Sequence, residues 1–149
     1  MALAQSPHMN QLKGLHLGEN DIGNEGINAL ATSPYLTSLN TLDLCSNYFD
    51  ISKLAQSPNM TSLTLLDLWD IEMGNEGVQK LAQSPHFTSL ESLNLGNNGI
   101  NDDGVMAFAQ SPYFTKLTEL NLTDNELGDK GVKMIKKSKH LKQLTTFEY

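Results

Sequence analysis

The five prolines of this chain mark a fixed repeat. Each follows a serine, in the sequence AQSP or ATSP, at Pro7, Pro34, Pro58, Pro85 and Pro112. Successive prolines are 27, 24, 27 and 27 residues apart. A constant period of this length is typical of a solenoid, in which each turn packs only against its neighbours. The pattern therefore predicts a stack of similar turns rather than a globule with one centre.

Leucines at fixed spacing follow each Ser-Pro pair. The pattern L-x-x-L-x-L begins at Leu12, Leu39, Leu63, Leu90 and Leu117, and a variant containing Phe147 and Tyr149 begins at Leu144. Its last two apolar positions alternate with polar residues, which predicts a short strand with leucines pointing inward and polar side chains pointing outward.

An asparagine stands three residues after the last leucine in four of five turns: Asn20, Asn47, Asn98 and Asn125. We expect its side chain to bond the backbone of the bend that ends the strand, and stacking to make these bonds cooperative. Two residues further on comes another apolar residue that should enter the core: Ile22, Phe49, Met73, Ile100 or Leu127.

The segment that returns to the next Ser-Pro pair has helical spacing. Apolar pairs three residues apart are Ile27/Leu30, Val78/Leu81, Val105/Phe108 and Val132/Ile135. They place one narrow apolar stripe on a short helix, and the Ser-Pro pair should end that helix because the residue before proline avoids the helical region. The second turn is three residues shorter, so its helix should begin later or be a tighter turn.

Taken together, these motifs resemble the leucine-rich-repeat family, specifically its ribonuclease-inhibitor-like class. The resemblance implies an α/β solenoid with a curved parallel sheet on the concave face, short helices on the convex face, and about five repeats of 27 residues, one of them 24. The form L-x-x-L-x-L-x-x-N-x-I-G-x-x-G-x-x-x-L-A is similar to repeats of bacterial proteins, including effectors delivered into host cells. That likeness implies an effector or adaptor that acts in the cytoplasm or is secreted by a bacterium into the host cytosol.

The repeat boundaries predict a single domain over residues 1–149. Residues 1–11 match the trailing half of a repeat, and residues 144–149 form a terminal half repeat or cap. The five repeats between them are 12–38, 39–62, 63–89, 90–116 and 117–143. Because the first residues are ordinary repeat sequence, we expect the chain to be a piece of a longer protein.

Composition excludes several classes of function. A single cysteine allows no internal disulfide, and four scattered histidines supply no metal cluster, so neither a metal nor another cofactor is expected. The chain has 17 acidic residues against 10 lysines, has no arginine, and carries a net charge of -7. This balance argues against a nucleic-acid surface. No apolar stretch is long enough to insert across a bilayer.

The outward strand positions should form columns on one face of the sheet, with turns about 4.8 Å apart. The first two columns are Gly14, Thr41, Leu65, Ser92, Glu119 and Thr146, and then His16, Asp43, Asp67, Asn94, Asn121 and Glu148. The next two are Gly18, Cys45, Trp69, Gly96 and Thr123, and then Glu19, Ser46, Asp70, Asn97 and Asp124.

The third turn differs from its neighbours on this face. Leu65 and Trp69, the only tryptophan, occupy positions that are small or polar elsewhere, and Asp67 and Asp70 flank them. An apolar anchor with an acidic rim is typical of a protein-binding hot spot. The alternative is that Trp69 simply packs over Gly96.

The sequence therefore predicts a face that binds a protein partner, and its many acids favour a partner with a basic surface. The predicted site comprises His16, Asp43, Leu65, Asp67, Trp69, Asp70, Asn94, Glu119, Asn121 and Thr123. Three alternatives stay open: that the acids serve only solubility, that the segment targets substrates for a larger enzyme such as a ubiquitin ligase, and that it is a structural spacer.

Catalysis is not expected. Cys45 lies diagonally across the predicted sheet from His16, roughly 7–8 Å away between backbones. Although His16 and Asp43 should be lateral neighbours able to form an ion pair, the site offers no cleft or oxyanion donor. The sequence thus predicts no catalytic residue.

Six of the ten lysines fall within residues 130–142, on the last predicted helix and its exit. They are expected to keep that end of the solenoid soluble. Contact with phosphate or an anionic membrane is the alternative, weakened by the absence of arginine and of exposed aromatic partners.

Overall fold

Six short parallel strands form one open sheet in the computed structural model, which describes residues 3–149. The strands are β1 (Gly14–His16), β2 (Thr41–Asp43), β3 (Leu65–Asp67), β4 (Ser92–Asn94), β5 (Glu119–Asn121) and β6 (Thr146–Glu148). They lie side by side in chain order. Equivalent repeat positions are paired throughout, as where Leu42 pairs with Leu66 and Leu66 with Leu93. The predicted columns are therefore the columns of the sheet.

A helix follows the strand in each of five turns. The helices are α1 (Asn24–Ala31), α2 (Ser52–Ala55), α3 (Gly74–Ala82), α4 (Asp102–Gln110) and α5 (Asp129–Lys136). The four residues of α2 match the shortened second turn. Short 3-10 helices also occupy Leu3–Gln5, Pro7–Gln11 and Pro58–Ser62. The architecture is the predicted α/β solenoid.

The core runs as one cluster through all turns between the sheet and the helices. Inward leucines of the strands, such as Leu66 and Leu93, and helix residues such as Val78 and Leu81 are almost fully buried. One column of this core was missed by the leucine pattern. The second residue after each Ser-Pro pair is apolar, and those at Leu36, Met60, Phe87 and Phe114 are buried.

Asparagine side chains tie each bend to the preceding turn. Asn98 Oδ1 accepts hydrogen bonds from the backbone N–H groups of Ile71 at 3.1 Å and Met73 at 3.2 Å. Its Nδ2 donates to the carbonyl oxygens of Leu68 at 2.8 Å and Gly96 at 2.9 Å. Asn47 and Asn125 make the same kind of bonds to the turns before them. The expected bonding of the bend is therefore confirmed at Asn47, Asn98 and Asn125. The Asn20 side chain, in the first turn, donates to the carbonyl oxygen of Gly18 in its own turn.

The asparagine ladder is interrupted in the third turn. Ile71 replaces the asparagine there and is buried. Because its side chain has no amide group, it cannot form hydrogen bonds to the backbone of the second turn. The second turn is also the short one, so the two departures from the repeat are adjacent in the stack.

A second ladder is made by the serines of the Ser-Pro pairs. The Ser111 hydroxyl donates to the carbonyl oxygen of Ala82 in the previous helix at 2.6 Å, and accepts from the N–H of Tyr113 at 3.3 Å. Ser33, Ser57, Ser84 and Ser138 bond in the same way. Ser138 keeps this role although lysine replaces the proline after it. The serine is thus a link between turns, a role that the sequence pattern did not predict.

Replacing the ladder asparagine should destabilise the stack. Asn98→Ala would leave the buried N–H groups of Ile71 and Met73 and the carbonyl oxygen of Leu68 without their side-chain partner, and we expect the free energy of unfolding to fall by about 3 kcal/mol. Urea unfolding followed by circular dichroism measures this change. The control is Asn28→Ala on the exposed side of α1, where alanine is the better helix former and little loss is expected. Equal effects of the two substitutions would contradict a structural role for the ladder.

Candidate functional site

Outward side chains of the strands and of the bends after them form one continuous surface, which we call the sheet face. In each strand the middle residue points into the core, so the first and third residues point outward. Sheet pairing aligns seven of the ten predicted site residues in consecutive turns: His16, Asp43, Leu65, Asp67, Asn94, Glu119 and Asn121. The other three, Trp69, Asp70 and Thr123, lie in the bends directly after β3 and β5. Their proximity follows directly from the parallel register.

The second column of the sheet face closes the ends of the strands. Asp67 Oδ1 accepts from the N–H of Trp69 at 2.9 Å, and Asn121 Oδ1 accepts from Thr123 at 2.8 Å. Asp43 and Asn94 cap their own strands in the same way. Short polar side chains favour such bonds to the backbone two residues onward. One oxygen of each side chain is therefore engaged in the fold, a role that the sequence interpretation did not include.

Lateral contacts use the remaining atoms of this column. Asn94 Nδ2 donates to Asp67 Oδ2 at 3.2 Å, and His16 Nδ1 lies 3.6 Å from Asp43 Oδ2. The His16 and Asp43 side chains are thus the predicted neighbours. Because the His16 side chain is 71% exposed, this pair contributes little to stability.

The column after the bend adopts an unusual backbone conformation. Asp70 has a φ of 54°, and Glu19, Ser46, Asn97 and Asp124 have values between 50° and 57°. Short polar residues tolerate this left-handed region better than branched ones. Asn97 Nδ2 donates to Asp70 Oδ1 at 2.9 Å, so this column is also linked across turns.

Trp69 packs against the backbone of the next turn. A Cβ atom at Gly96 would overlap the Cε3 and Cζ3 atoms of the indole, which shows that the ring lies over this glycine. Trp69 is half-buried, whereas Leu65 in the same turn is 39% exposed. The contact is the one that the packing interpretation of Trp69 predicted, and Leu65 is the more accessible apolar group.

A shallow groove of about 240 Å³ runs along the sheet face from β3 to β6. Its outward side chains include three acids, Asp67, Glu119 and Glu148, and no lysine lines it. The other outward side chains are those of Leu65, Ser92, Asn94, Asn121 and Thr146, and the middle residues Leu66, Leu93 and Leu120 of three strands also line the groove. The groove is therefore acidic, with one accessible leucine at its β3 end.

Cys45 is poorly suited to act as a nucleophile. Burial, the hydrogen bond with Asp43 and the nearby carboxylates of Asp43, Asp67 and Glu19 together raise its pKa to about 12. The thiolate is the reactive form of cysteine, and it is disfavoured here at neutral pH.

Two further features of residues 3–149 bear on function. Within this part of the chain, His, Cys, Asp and Glu side chains do not gather in any group of three or more that could hold a metal ion. Its helices are all too short or too polar to cross a bilayer.

Comparison with known proteins identifies the family. The model of the leucine-rich repeat matches residues 8–31, 86–109 and 115–136. The chain is a leucine-rich-repeat protein, as the motifs indicated. Proteins of this family are generally protein-interaction modules, and the fold is typically non-catalytic. No curated protein sequence matches the chain.

Solved structures share the fold at low identity. A structure of leiomodin-1 actin-binding site 2 is 17% identical, with a TM-score of 0.60 over 96% of this chain and 73% of the other. Internalin C2 of Listeria monocytogenes is 19% identical, with a TM-score of 0.57 over 94% of this chain and 62% of the other. A second internalin of that bacterium, 19% identical, has a TM-score of 0.49 over 96% of this chain and 49% of the other. The chain thus spans less than two thirds of either internalin. The likenesses to leiomodin-1 and internalin C2 show the fold alone.

The contact between Trp69 and Gly96 can be tested by fluorescence. Gly96→Ala should displace the indole toward water, because the new methyl group and the ring would occupy the same space. Since the chain has one tryptophan, we expect a red shift of its emission spectrum. Gly23→Ala, where the added methyl group meets nothing within 4 Å, should leave the spectrum unchanged. An unshifted spectrum in Gly96→Ala would show that the ring does not lie there.

The pKa of Cys45 predicts its reactivity. At about pH 8.5, close to the ordinary pKa of a thiol, iodoacetamide should alkylate the folded protein much more slowly than the urea-unfolded chain. Asp43→Asn should speed alkylation of the folded protein, because it lowers the pKa of Cys45 by removing a nearby charge. Asparagine already caps the strand at the equivalent Asn94, so the fold should be kept. Equal rates in the folded protein and in Asp43→Asn would rule out this effect of Asp43.

Proposed function

We propose that the chain is a non-enzymatic module that binds a protein partner on its sheet face. The observation that carries this proposal is an acidic groove with an accessible apolar side chain, Leu65, at one end. Interfaces of this kind combine an apolar anchor with a polar rim that sets orientation. The family's general role in protein interaction supports the same function.

The charges of the groove favour a partner with a basic surface. Asp67, Glu119 and Glu148 face the same groove, and complementary charge would speed association and orient the partner. Both oxygens of Asp67 already accept hydrogen bonds, Oδ1 from the N–H of Trp69 and Oδ2 from Asn94 Nδ2, so Asp67 would contribute mainly through its charge. The exposed carboxylates of Glu119 and Glu148 have no such role in the strands and are better placed to bind lysine or arginine.

The predicted site as a whole has two parts in this proposal. Leu65 and Glu119 would make direct contacts with the partner, together with the accessible atoms of Trp69, Asp70 and Thr123. His16, Asp43, Asp67, Asn94 and Asn121 would supply polar contacts while also holding the strand ends in place.

The likeness of the repeats to those of bacterial effectors supports a narrower proposal. We infer that the segment belongs to a bacterial effector or adaptor that acts on a host protein, in the cytoplasm or after secretion into the host cytosol. The leiomodin-1 segment with this fold is described as an actin-binding site, which is one instance of such a solenoid engaging a protein.

Affinity purification tests the sheet face directly. The variant Leu65→Ser with Glu119→Lys removes the apolar anchor and reverses one charge, and should lose partners that the unchanged protein recovers from a eukaryotic cell lysate. The matched control is Tyr48→Ser with Glu25→Lys, which alters one exposed apolar and one exposed acidic residue outside the strands. Quantitative mass spectrometry compares the three samples, and circular dichroism checks that both variants fold.

Equal recovery by the two variants would contradict the proposal and would favour a structural spacer. Selective loss by the sheet-face variant, followed by a direct titration with the recovered protein at two salt concentrations, would support it. Binding should weaken at higher salt, because exposed charges are screened. A substrate-targeting segment of a larger enzyme, such as a ubiquitin ligase, would use the same face, and the sequence of the complete gene product distinguishes that case.

A further inference from the structure

A second groove, which shares no lining residue with the groove on the sheet face, lies between the C-terminal ends of α4 and α5. This α4–α5 groove has a volume of about 500 Å³ and is lined by Met106, Ala109 and Gln110 from α4, and by Met134, Lys137 and the segment Ser138–His140. Its size falls within the range of ordinary binding pockets, about 300–1,000 Å³. It is not part of the surface proposed above.

Two methionine side chains form an apolar wall of the groove, and the backbone carbonyl group at the end of α4 beside it already accepts a hydrogen bond. Met106 is 38% exposed, and Met134 is partly buried against the core. The Ser138 hydroxyl donates to the carbonyl oxygen of Ala109 at 2.5 Å, so that helix-end oxygen has its partner. Methionine side chains adapt their shape to apolar groups, which suits a surface that receives side chains from a partner.

Lysines surround this apolar wall. Lys137 and Lys139 line the groove itself, and Lys130 and Lys133 line an adjoining depression of about 570 Å³ that shares Met134 and Lys137. Asp129 is the one acid lining either recess. Lys136 differs, because its Nζ contacts the Tyr149 hydroxyl at 2.9 Å and lies 4.7 Å from the ring centre. In a chain of net charge -7, this end therefore has the opposite local charge.

We propose that the α4–α5 groove binds an acidic peptide segment that carries apolar side chains and is presented by a partner protein. Carboxylates of the segment pair with Lys133, Lys137 and Lys139, and its apolar side chains enter between Met106 and Met134. The recessed shape and the lack of arginine favour this occupant over a nucleic acid, and the lack of an aromatic lining residue favours it over a membrane surface. The site is independent of the partner of the sheet face.

Fluorescence anisotropy with a defined probe tests this site. The probe is a short fluorescein-labelled peptide of glutamate, leucine and methionine, compared with polyglutamate of the same length. The double variant Lys133→Glu with Lys137→Glu should weaken binding of the mixed peptide roughly tenfold or more, because two rim charges are reversed. Lys13→Glu with Lys53→Glu makes the same change in net charge on other exposed residues and should leave affinity nearly unchanged. Met106→Ser, at an exposed position, should weaken the mixed peptide alone.

Each other outcome would overturn the proposal. Absence of peptide binding, or equal binding by the two lysine pairs, would show that the groove is not an acidic-peptide site. Equal affinity for polyglutamate would reduce it to a charged surface without apolar recognition. Tighter binding to vesicles containing phosphatidylserine, lost in Lys133→Glu with Lys137→Glu, would assign the lysines to membranes. Self-association lost in that variant, measured by analytical ultracentrifugation, would make a second copy of the chain the occupant.

Discussion

The rest of this structure depends on the bonding of buried polar groups between successive turns. A single turn of 27 residues bends sharply twice, after the strand and after the helix. Backbone groups at these bends are enclosed by the next turn and must find partners there. Asn98 and Ser111 supply those partners from the following turn. The Asn98 side chain makes three hydrogen bonds to the turn before it, and the Ser111 hydroxyl donates one to a carbonyl oxygen there. A turn is therefore complete only when another turn follows it.

This requirement also sets the register of the sheet. Slipping one strand along its neighbour would separate each asparagine from the bend that it bonds, as well as turning the leucines out of the core. Equivalent positions consequently stand beside one another through all six strands, even across the shortened second turn. The second turn is three residues shorter than the others, and this difference shortens α2 without changing the pairing of the strands on either side. Function on the sheet face is thus built from columns whose positions are not free to vary separately.

The same logic explains which parts were predictable from the sequence. Residues 27 positions apart become neighbours, so the strands, their pairing and the juxtaposition of His16 and Asp43 follow from the period alone. The serine ladder was missed because a serine before proline already had an explanation as the end of a helix. The capping role of Asp67 depends on the local conformation of the bend. The position of the Trp69 ring depends on its rotamer, and the repeat period specifies neither of these. The one indication in the sequence was Gly96, whose lack of a side chain leaves space for the indole ring.

Some residues of the sheet face also stabilise the fold, and this limits which positions can determine specificity for a partner. Asp43, Asp67, Asn94 and Asn121 each use an oxygen to close a strand, so replacing any of them by a residue other than aspartate or asparagine would weaken a bend. The first column carries no such duty, and there the side chain varies from Leu65 to Ser92 to Glu119. Variation at those positions alters the partner-facing surface while the ladders remain intact. The stack therefore separates the residues that hold its shape from those best able to distinguish one partner from another.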